Sequence, residues 1–368
     1  MNPPRIAIFV SFSGQGGVEN MITRLAEGML ALGCEVDLVL AKSRGEHLDA
    51  IPAGVRVIQL NAKSTLTALP GLARYLREHR PTALLAAKDR AIKTAVLARR
   101  LSGLRIPLAG RLGTTVSAAL AGRSALRRWS WYSGMRLFYR HVDHIVAVSQ
   151  GVANDVIAIT GLSADRISVV RNPVITPHLD ELARQTPDHP WMNDNNIPVI
   201  LGAGRLTRQK DFPTLIRAFA QVRQKTPCRL IILGEGADRA ALHAQIQQLG
   251  LKDDVAMPGF SKQIYAYLAQ ARLFVLSSRW EGSPNVLTEA LALGTPVVAT
   301  DCPSGPREIL NDGRYGPLIP VGDTNALANA ILQTLSEPPD AATLRAAVAE
   351  YTMEKSARRY LEVMKIKL

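Results

Sequence analysis

The sequence predicts an α/β protein built as two doubly wound, Rossmann-like parallel-sheet domains facing a cleft. Three observations carry this. The chain has 368 residues, which at roughly 100 to 200 residues per domain makes two. Short apolar runs of strand length alternate with segments of helical period, in βαβα order, twice over. Between the two series lies a polar, Pro-rich stretch from Asn172 to Asn196 that holds Pro173, Pro177, Pro187 and Pro190. The expected boundaries are an N-terminal domain over 1–175, a linker over 176–196 and a C-terminal domain over 197–350, with a final helical segment over 351–368.

The first series opens with a strand at Ile6–Val10 and a glycine turn, SFSGQGG. A helix follows over Val18–Leu32, with Met21, Ile22, Leu25 and Met29 on one face and Gly33 as its stop. Strands are expected at Val36–Leu40, Val55–Leu60, Ala83–Ala87, Ile106–Ala109, His144–Val148 and Ile167–Val170. Helices are expected at Leu69–His79, Ala91–Ser102 and Ala125–Arg140, and from Gly151 after a Ser149 cap. The second series has strands at Val199–Ala203, Leu230–Leu233, Val255–Met257, Leu273–Leu276 and Val297–Ala299. Its helices fall between them, and further helices run to Ile366.

Composition narrows the class. Hydrophobic residues make up 47% of the chain, enough for a sizeable core. The scattered Cys34, Cys228 and Cys302 suggest neither a disulfide framework nor a zinc site. The N-terminus reads as a strand rather than a signal peptide, and no window holds the ~20 apolar residues of a spanning helix. A cytoplasmic protein, peripheral on the inner face of the cell membrane, is expected. Net charge is +13, and the excess is local: from Leu72 to Arg140 there are 15 Lys and Arg against only Glu78 and Asp89. Such a region attracts anionic lipid, an anionic glycolipid or nucleic acid, or simply solubilises the surface. The helix ALRRWSWYSGMRLFYR interleaves Trp129, Trp131 and Tyr132 with Arg127, Arg128 and Arg136. That pattern suits an anionic membrane surface, and equally a packed helix with snorkelling arginines.

Candidate chemistry sits where strands end, since ligands of open parallel sheets bind beyond the carboxyl ends. In RWEGSPNVLTEALALG, Ser283 is expected to cap a helix whose first residue is Pro284. Amides from Asn285 through Val286 to Leu287 would face an anion. Glu281 and Glu289 flank that position. Two carboxylates repel a bare phosphate but accept hydrogen bonds from sugar hydroxyls beside one; alternatively, one is a solvated loop charge and the other a helix-dipole carboxylate. Arg205 and Lys210 follow the strand Val199–Ala203 and could neutralise a leaving diphosphate. No Asp-x-Asp pair is available to hold a metal for that task. Gly234 and Glu235 in LGEG follow another strand, and Gly259 and Phe260 in MPGFS could border a base. The SFSGQGG turn is neither GxGxxG nor GxxxxGK[ST].

Taken together, the runs GRLTRQKDFPTLIRAF, LGEG and SSRWEGSPNVLTEALALGTPVVATDCPSGPREIL resemble the retaining glycosyltransferases of family 4, which have the GT-B fold. The resemblance covers most of the second domain, in order, together with the first glycine turn. It implies that Glu281 contacts the donor sugar and Glu289 the ribose hydroxyls. It also implies that Arg205 and Lys210 hold the diphosphate, and that Ser283 to Leu287 form the helix start that meets phosphate and sugar. Gly16 and Gly17 would close on the donor, and the last helix would cross back to the first domain. The histidine that many relatives carry in the first domain is missing from PLAGRLGTTVSAAL, where Arg111, Thr114 and Thr115 stand; Arg111 would instead steady phosphate or acceptor.

The expected function is therefore transfer of a hexose or N-acetylhexosamine from a nucleotide-diphosphate sugar, UDP-linked by expectation. The acceptor would be a lipid-linked or cell-surface polysaccharide precursor, with no metal or other cofactor and no nucleic-acid partner. Three alternatives stand beside it: a GT-B sugar-nucleotide epimerase, a protein binding nucleic acid or anionic lipid through its basic half, and a subunit that binds the nucleotide sugar without turnover.

Overall fold

The computed structural model describes residues 3–13, 17–44, 51–194 and 196–367. The chain divides into two compact units: residues 1–174 with 350–368, and residues 175–349.

The first unit carries seven strands, β1 (Arg5–Ser13), β2 (Glu35–Arg44), β3 (Arg56–Gln59), β4 (Ala83–Ala87), β5 (Leu108–Leu112), β6 (His144–Ala147) and β7 (Ile167–Val169). They form one sheet in the order β3-β2-β1-β4-β5-β6-β7, and every pair is parallel. The central strands are apolar on both faces because helices cover both sides. β4, for example, is buried at every residue. The chain reverses its direction of growth between β1 and β4, which is the switch point of this sheet.

The last helix, Met353–Val363, belongs to this first unit. It lies on the helix Gly17–Ala31, where a Cβ on Gly28 would come 2.9 Å from Ala357 Cβ and 3.0 Å from Met353 Cγ. The absent side chain is what allows the two helices to approach. Ala357, Tyr360 and Leu361 join the core formed by Ile8, Met21, Leu25 and Leu85.

The second unit holds β8 (Val199–Ala203), β9 (Arg229–Leu233), β10 (Val255–Gly259), β11 (Leu273–Leu276), β12 (Val297–Thr300) and β13 (Leu318–Ile319), in the order β10-β9-β8-β11-β12-β13. All pairs are again parallel, and the switch point falls between β8 and β11.

The stretch read as a linker over 176–196 is part of this second unit. Leu179 and Ala183 of its helix Leu179–Ala183 form a small cluster with Tyr265. The Tyr267 hydroxyl donates to Asp188 Oδ1 at 2.5 Å, and Arg229 donates to Asp194 at 2.9 Å while stacking over Trp191. These contacts dock the backbone of this stretch. Among the elements outside the sequence reading are the helix Val116–Leu120 and the two-residue strand β13. Both are too short to show a period.

Candidate nucleotide-sugar site

Beyond β8 and β11, the switch point of the second unit gathers the expected residues. Asp211 takes a left-handed conformation (φ 49°) as the N-cap of the helix Phe212–Arg223, and its carboxylate accepts from Thr214 Oγ1 at 3.0 Å and pairs with Arg279 at 3.0 Å. The loop after β11 is stitched to the loop after β8. Ser277 Oγ donates to the Lys210 carbonyl at 2.7 Å, Gln209 Nε2 to the Trp280 carbonyl at 2.9 Å, and the Arg279 amide to the Gln209 carbonyl at 2.7 Å. Within this frame Lys210 Nζ lies 2.6 Å from Glu281 Oε1, and Ser278 Oγ donates to the same oxygen at 2.7 Å. The two charged side chains are 16% and 9% exposed, so their attraction is little screened. Arg205, by contrast, points to solvent.

Glu289 is buried in the helix Asn285–Leu293, with Tyr265 donating to its Oε1 at 3.3 Å. This helix starts one residue later than expected. Pro284 is the N-cap (φ −71°, ψ 102°), and Ser283 makes no cap bond. Instead Ser283 Oγ is buried without a partner among the described residues. The reason is tertiary. Gly305 (φ 93°) presses on the turn so closely that a Cβ there would sit 2.6 Å from Pro284 Cδ and 3.0 Å from the Gly282 carbonyl, and Ser304 Oγ donates to that same carbonyl at 3.0 Å. Asn285 and Val286 therefore supply the helix-start amides that no intrahelical carbonyl can take, whereas the Leu287 amide is turned back to the Pro284 carbonyl at 3.1 Å.

The glycines after β9 and β10 complete the rim. Gly234 (φ 133°) packs on the β8 loop so tightly that a Cβ would fall 2.0 Å from the Gly204 carbonyl oxygen. Its amide donates to the Gly259 carbonyl at 2.7 Å. A Cβ on Gly259 would in turn meet Glu235 Oε1 at 2.7 Å, and Arg239 holds that carboxylate at 2.9 Å. Phe260 is exposed beside them. Cys302, beyond β12, has its thiol pushed up to about 12 by burial and by the Glu281 charge, so it stays protonated and unreactive at neutral pH.

In the first unit Gly17 begins a helix, while Gly14 and Gly16 lie outside the described residues. Arg111 is turned into the interior at 2% exposure. Its Nη2 donates to Asn172 Oδ1 at 2.9 Å, and a Cβ on Gly113 would sit 2.6 Å from Nη1. Its Nε and Nη1 are buried without a hydrogen-bond partner among the described residues. His144 opens β6 at the amino end of the sheet, bonded to Ser168 at 2.8 Å. Burial, with Arg166 nearby, lowers its pKa.

One pair went unread in the sequence. Lys88, strained at φ 81° beyond β4, reaches the buried Glu19 at 3.0 Å and the Ser11 carbonyl at 3.3 Å. It thereby ties β1 to β4 at the first unit's switch point. Its position one residue past an apolar strand run was the available signal. Among the described residues no group of three or more His, Cys, Asp or Glu side chains is placed to hold a metal, and no helix is long and apolar enough to cross a membrane.

Two parallel α/β units, with cations and carboxylates converging on a switch point, define a protein of the GT-B class. Comparison with known proteins gives the family. Glycosyltransferase Family 4 matches residues 15–177, and Glycosyl transferases group 1 matches residues 188–354. The chain belongs to the family 4 glycosyltransferases.

Among similar proteins is the Campylobacter jejuni N-acetylgalactosamine-N,N'-diacetylbacillosaminyl-diphospho-undecaprenol 4-alpha-N-acetylgalactosaminyltransferase. It is 33% identical over 201 residues, which is 55% of this chain and 53% of that enzyme; the chain thus spans about half the length of this relative. The Rhizobium meliloti lipopolysaccharide core biosynthesis glycosyltransferase LpsE is 27% identical over 89% of this chain and 87% of its own. The crystal structure of Anabaena HepE in complex with UDP and glucose superposes with a TM-score of 0.80 at 20% identity, covering 98% of this chain and 99% of that one.

Proposed function

We propose that the protein is a retaining glycosyltransferase that moves a hexose or N-acetylhexosamine from a UDP-sugar to a lipid-linked or cell-surface polysaccharide precursor at the inner face of the cell membrane. The observation that carries the reading is the Lys210–Glu281 pair at the switch point, set beside the helix start that leads to Glu289. A ligand with a diphosphate between two hydroxylated sugars matches this order of charges. The diphosphate meets Arg205, Lys210 and the amides of Asn285 and Val286. The donor sugar hydroxyls meet Glu281, and the ribose hydroxyls meet Glu289. Support for the donor comes from the likeness in fold to HepE, whose structure holds UDP and glucose. Support for the acceptor comes from the diphospho-undecaprenol in the name of one relative and the lipopolysaccharide core biosynthesis in the name of another.

In the proposed reaction an acceptor hydroxyl oxygen attacks the anomeric carbon on the face that the leaving group vacates. The bond from that carbon to the diphosphate oxygen breaks, and this oxygen takes the acceptor proton. Arg205 and Lys210 stabilise the charge that develops on the diphosphate, so no resident metal is required. The test is transfer from a panel of UDP-sugars to an undecaprenyl-diphosphate glycan, with the product's anomeric configuration read by NMR and the assay repeated in EDTA. Retained configuration and an unchanged rate are expected. Inverted configuration would remove the retaining reading, and loss of activity restored only by a divalent ion would remove the metal-free one.

A further inference from the structure

The helix Ala125–Tyr139 is apolar on two faces, and the core uses only one. Met135 and Tyr139 are buried, and Trp131, Tyr132 and Phe138 pack beside them on the first unit's core. Tyr139 donates to Asp89 at 2.9 Å, and Lys93 lies over the Trp131 ring at 5.3 Å. At about 100° per residue, the face opposite Met135 carries Leu126, Trp129 and Leu137, with Ser130 and Ser133 among them. The three apolar residues are 74%, 64% and 50% exposed. A surface helix ordinarily turns polar residues outward, so a second apolar stripe calls for a partner.

The charges around the stripe say which partner. Arg123, Arg127, Arg136 and Arg140 are exposed on and beside this helix, and the Arg136 side chain is anchored by donating to the Ile159 carbonyl at 2.7 Å. From Arg90 to Val142 the chain has eleven Lys and Arg and no Asp or Glu. A second copy docked face to face would therefore oppose like charges. Nucleic acid would pair with the arginines but would leave Leu126 and Leu137 unpartnered. A bilayer rich in anionic lipid satisfies both features: its phosphates take the arginines, while the boundary between headgroups and acyl chains takes tryptophan and leucine.

We infer that the outer face of the helix Ala125–Tyr139, with Leu126, Trp129 and Leu137 as its apolar contacts and the flanking arginines as its charged ones, docks the protein on an anionic membrane surface. The inference deepens the lipid-linked acceptor proposed above and rests on that reading for its purpose, since the surface would hold the enzyme where such an acceptor lies.

The test is flotation of the full chain with phosphatidylglycerol-containing vesicles and with pure phosphatidylcholine vesicles. Binding to the first, little to the second, and weakening by salt are expected. Leu126→Ser/Trp129→Ser should lose most of the binding, and Arg123→Gln and Arg127→Gln should each weaken it about fivefold, while UDP binding and thermal unfolding stay at wild-type values. Absence of binding to anionic vesicles, or a Leu126→Ser/Trp129→Ser variant that binds as well as wild type, overturns the inference. So does a dimer, seen by sedimentation, that the same variant abolishes. A protein that floats with vesicles yet transfers no sugar contradicts the transferase reading alone. One that transfers sugar to a soluble acceptor yet ignores vesicles contradicts this inference alone.

Discussion

The ammonium of Lys210 sits 2.6 Å from Glu281 Oε1, and both side chains are largely withdrawn from water. Two residues proposed to meet different parts of the donor therefore hold each other in place beforehand. Removing one partner leaves a poorly solvated charge, whereas removing both does not. Lys210→Ala is expected to lower unfolding stability by about 3 kcal/mol, and Lys210→Met/Glu281→Leu to recover most of that loss. Urea titration of the two variants checks this. A double variant less stable than the single one would contradict it. Both variants should lose sugar transfer.

Glu289→Gln tests the ribose contact. A carboxylate that accepts from a ribose hydroxyl contributes about 2 kcal/mol, so the variant should bind UDP roughly 30-fold more weakly. The 2′- and 3′-deoxy analogues sharpen the experiment. One of them should bind wild type as weakly as UDP binds the variant, with no further loss when the two changes are combined. Additive losses would place Glu289 elsewhere in the mechanism.

Gly234→Ala tests the rim. A methyl group there would meet the Gly204 carbonyl oxygen at 2.0 Å, at a φ of 133° that side chains avoid. The expected cost is at least about 3 kcal/mol, strain and collision together. Gly250→Ala is the control, since it has a positive φ but open space around it, and about 1 kcal/mol is expected. Equal losses in thermal melts would mean that the close approach of the two loops is not what requires glycine.

All three described cysteines are free and buried. Burial pushes the Cys228 thiol up to about 11, and burial with the Glu281 charge pushes Cys302 up to about 12. Because the reactive form is the thiolate, raising the pKa suppresses it at pH 8. Native protein should resist iodoacetamide at that pH, whereas urea-unfolded protein should take up label at every cysteine. Rapid native labelling of Cys302 would show that the segment after β12 opens.

What was legible in the sequence follows from how far each signal reaches along the chain. The apolar runs of β4, β8 and β11 are local, and reading them placed Arg205, Lys210 and Glu281 beyond the strand ends. The start of the helix that carries Glu289 was read one residue early, because Gly305, more than twenty positions downstream, fixes Pro284 as the cap. The same limit hid the Lys88–Glu19 pair, whose members lie 69 residues apart. It also hid the inward turn of Arg111, which depends on Asn172 and on the missing side chain of Gly113. Residues 176–196 looked like a linker because their composition is polar. Tyr267 and Arg229, which dock them, lie far along the chain.

The most direct measurement is calorimetric titration of the purified protein with UDP-sugars in EDTA, for wild type, Lys210→Ala and Glu289→Gln. Saturable, one-to-one binding of at least one UDP-sugar to wild type is expected, with at least tenfold weaker binding to each variant, about 1.4 kcal/mol or more. No binding by the wild type, or equal binding by all three proteins, would contradict the assignment of this switch point as the donor site.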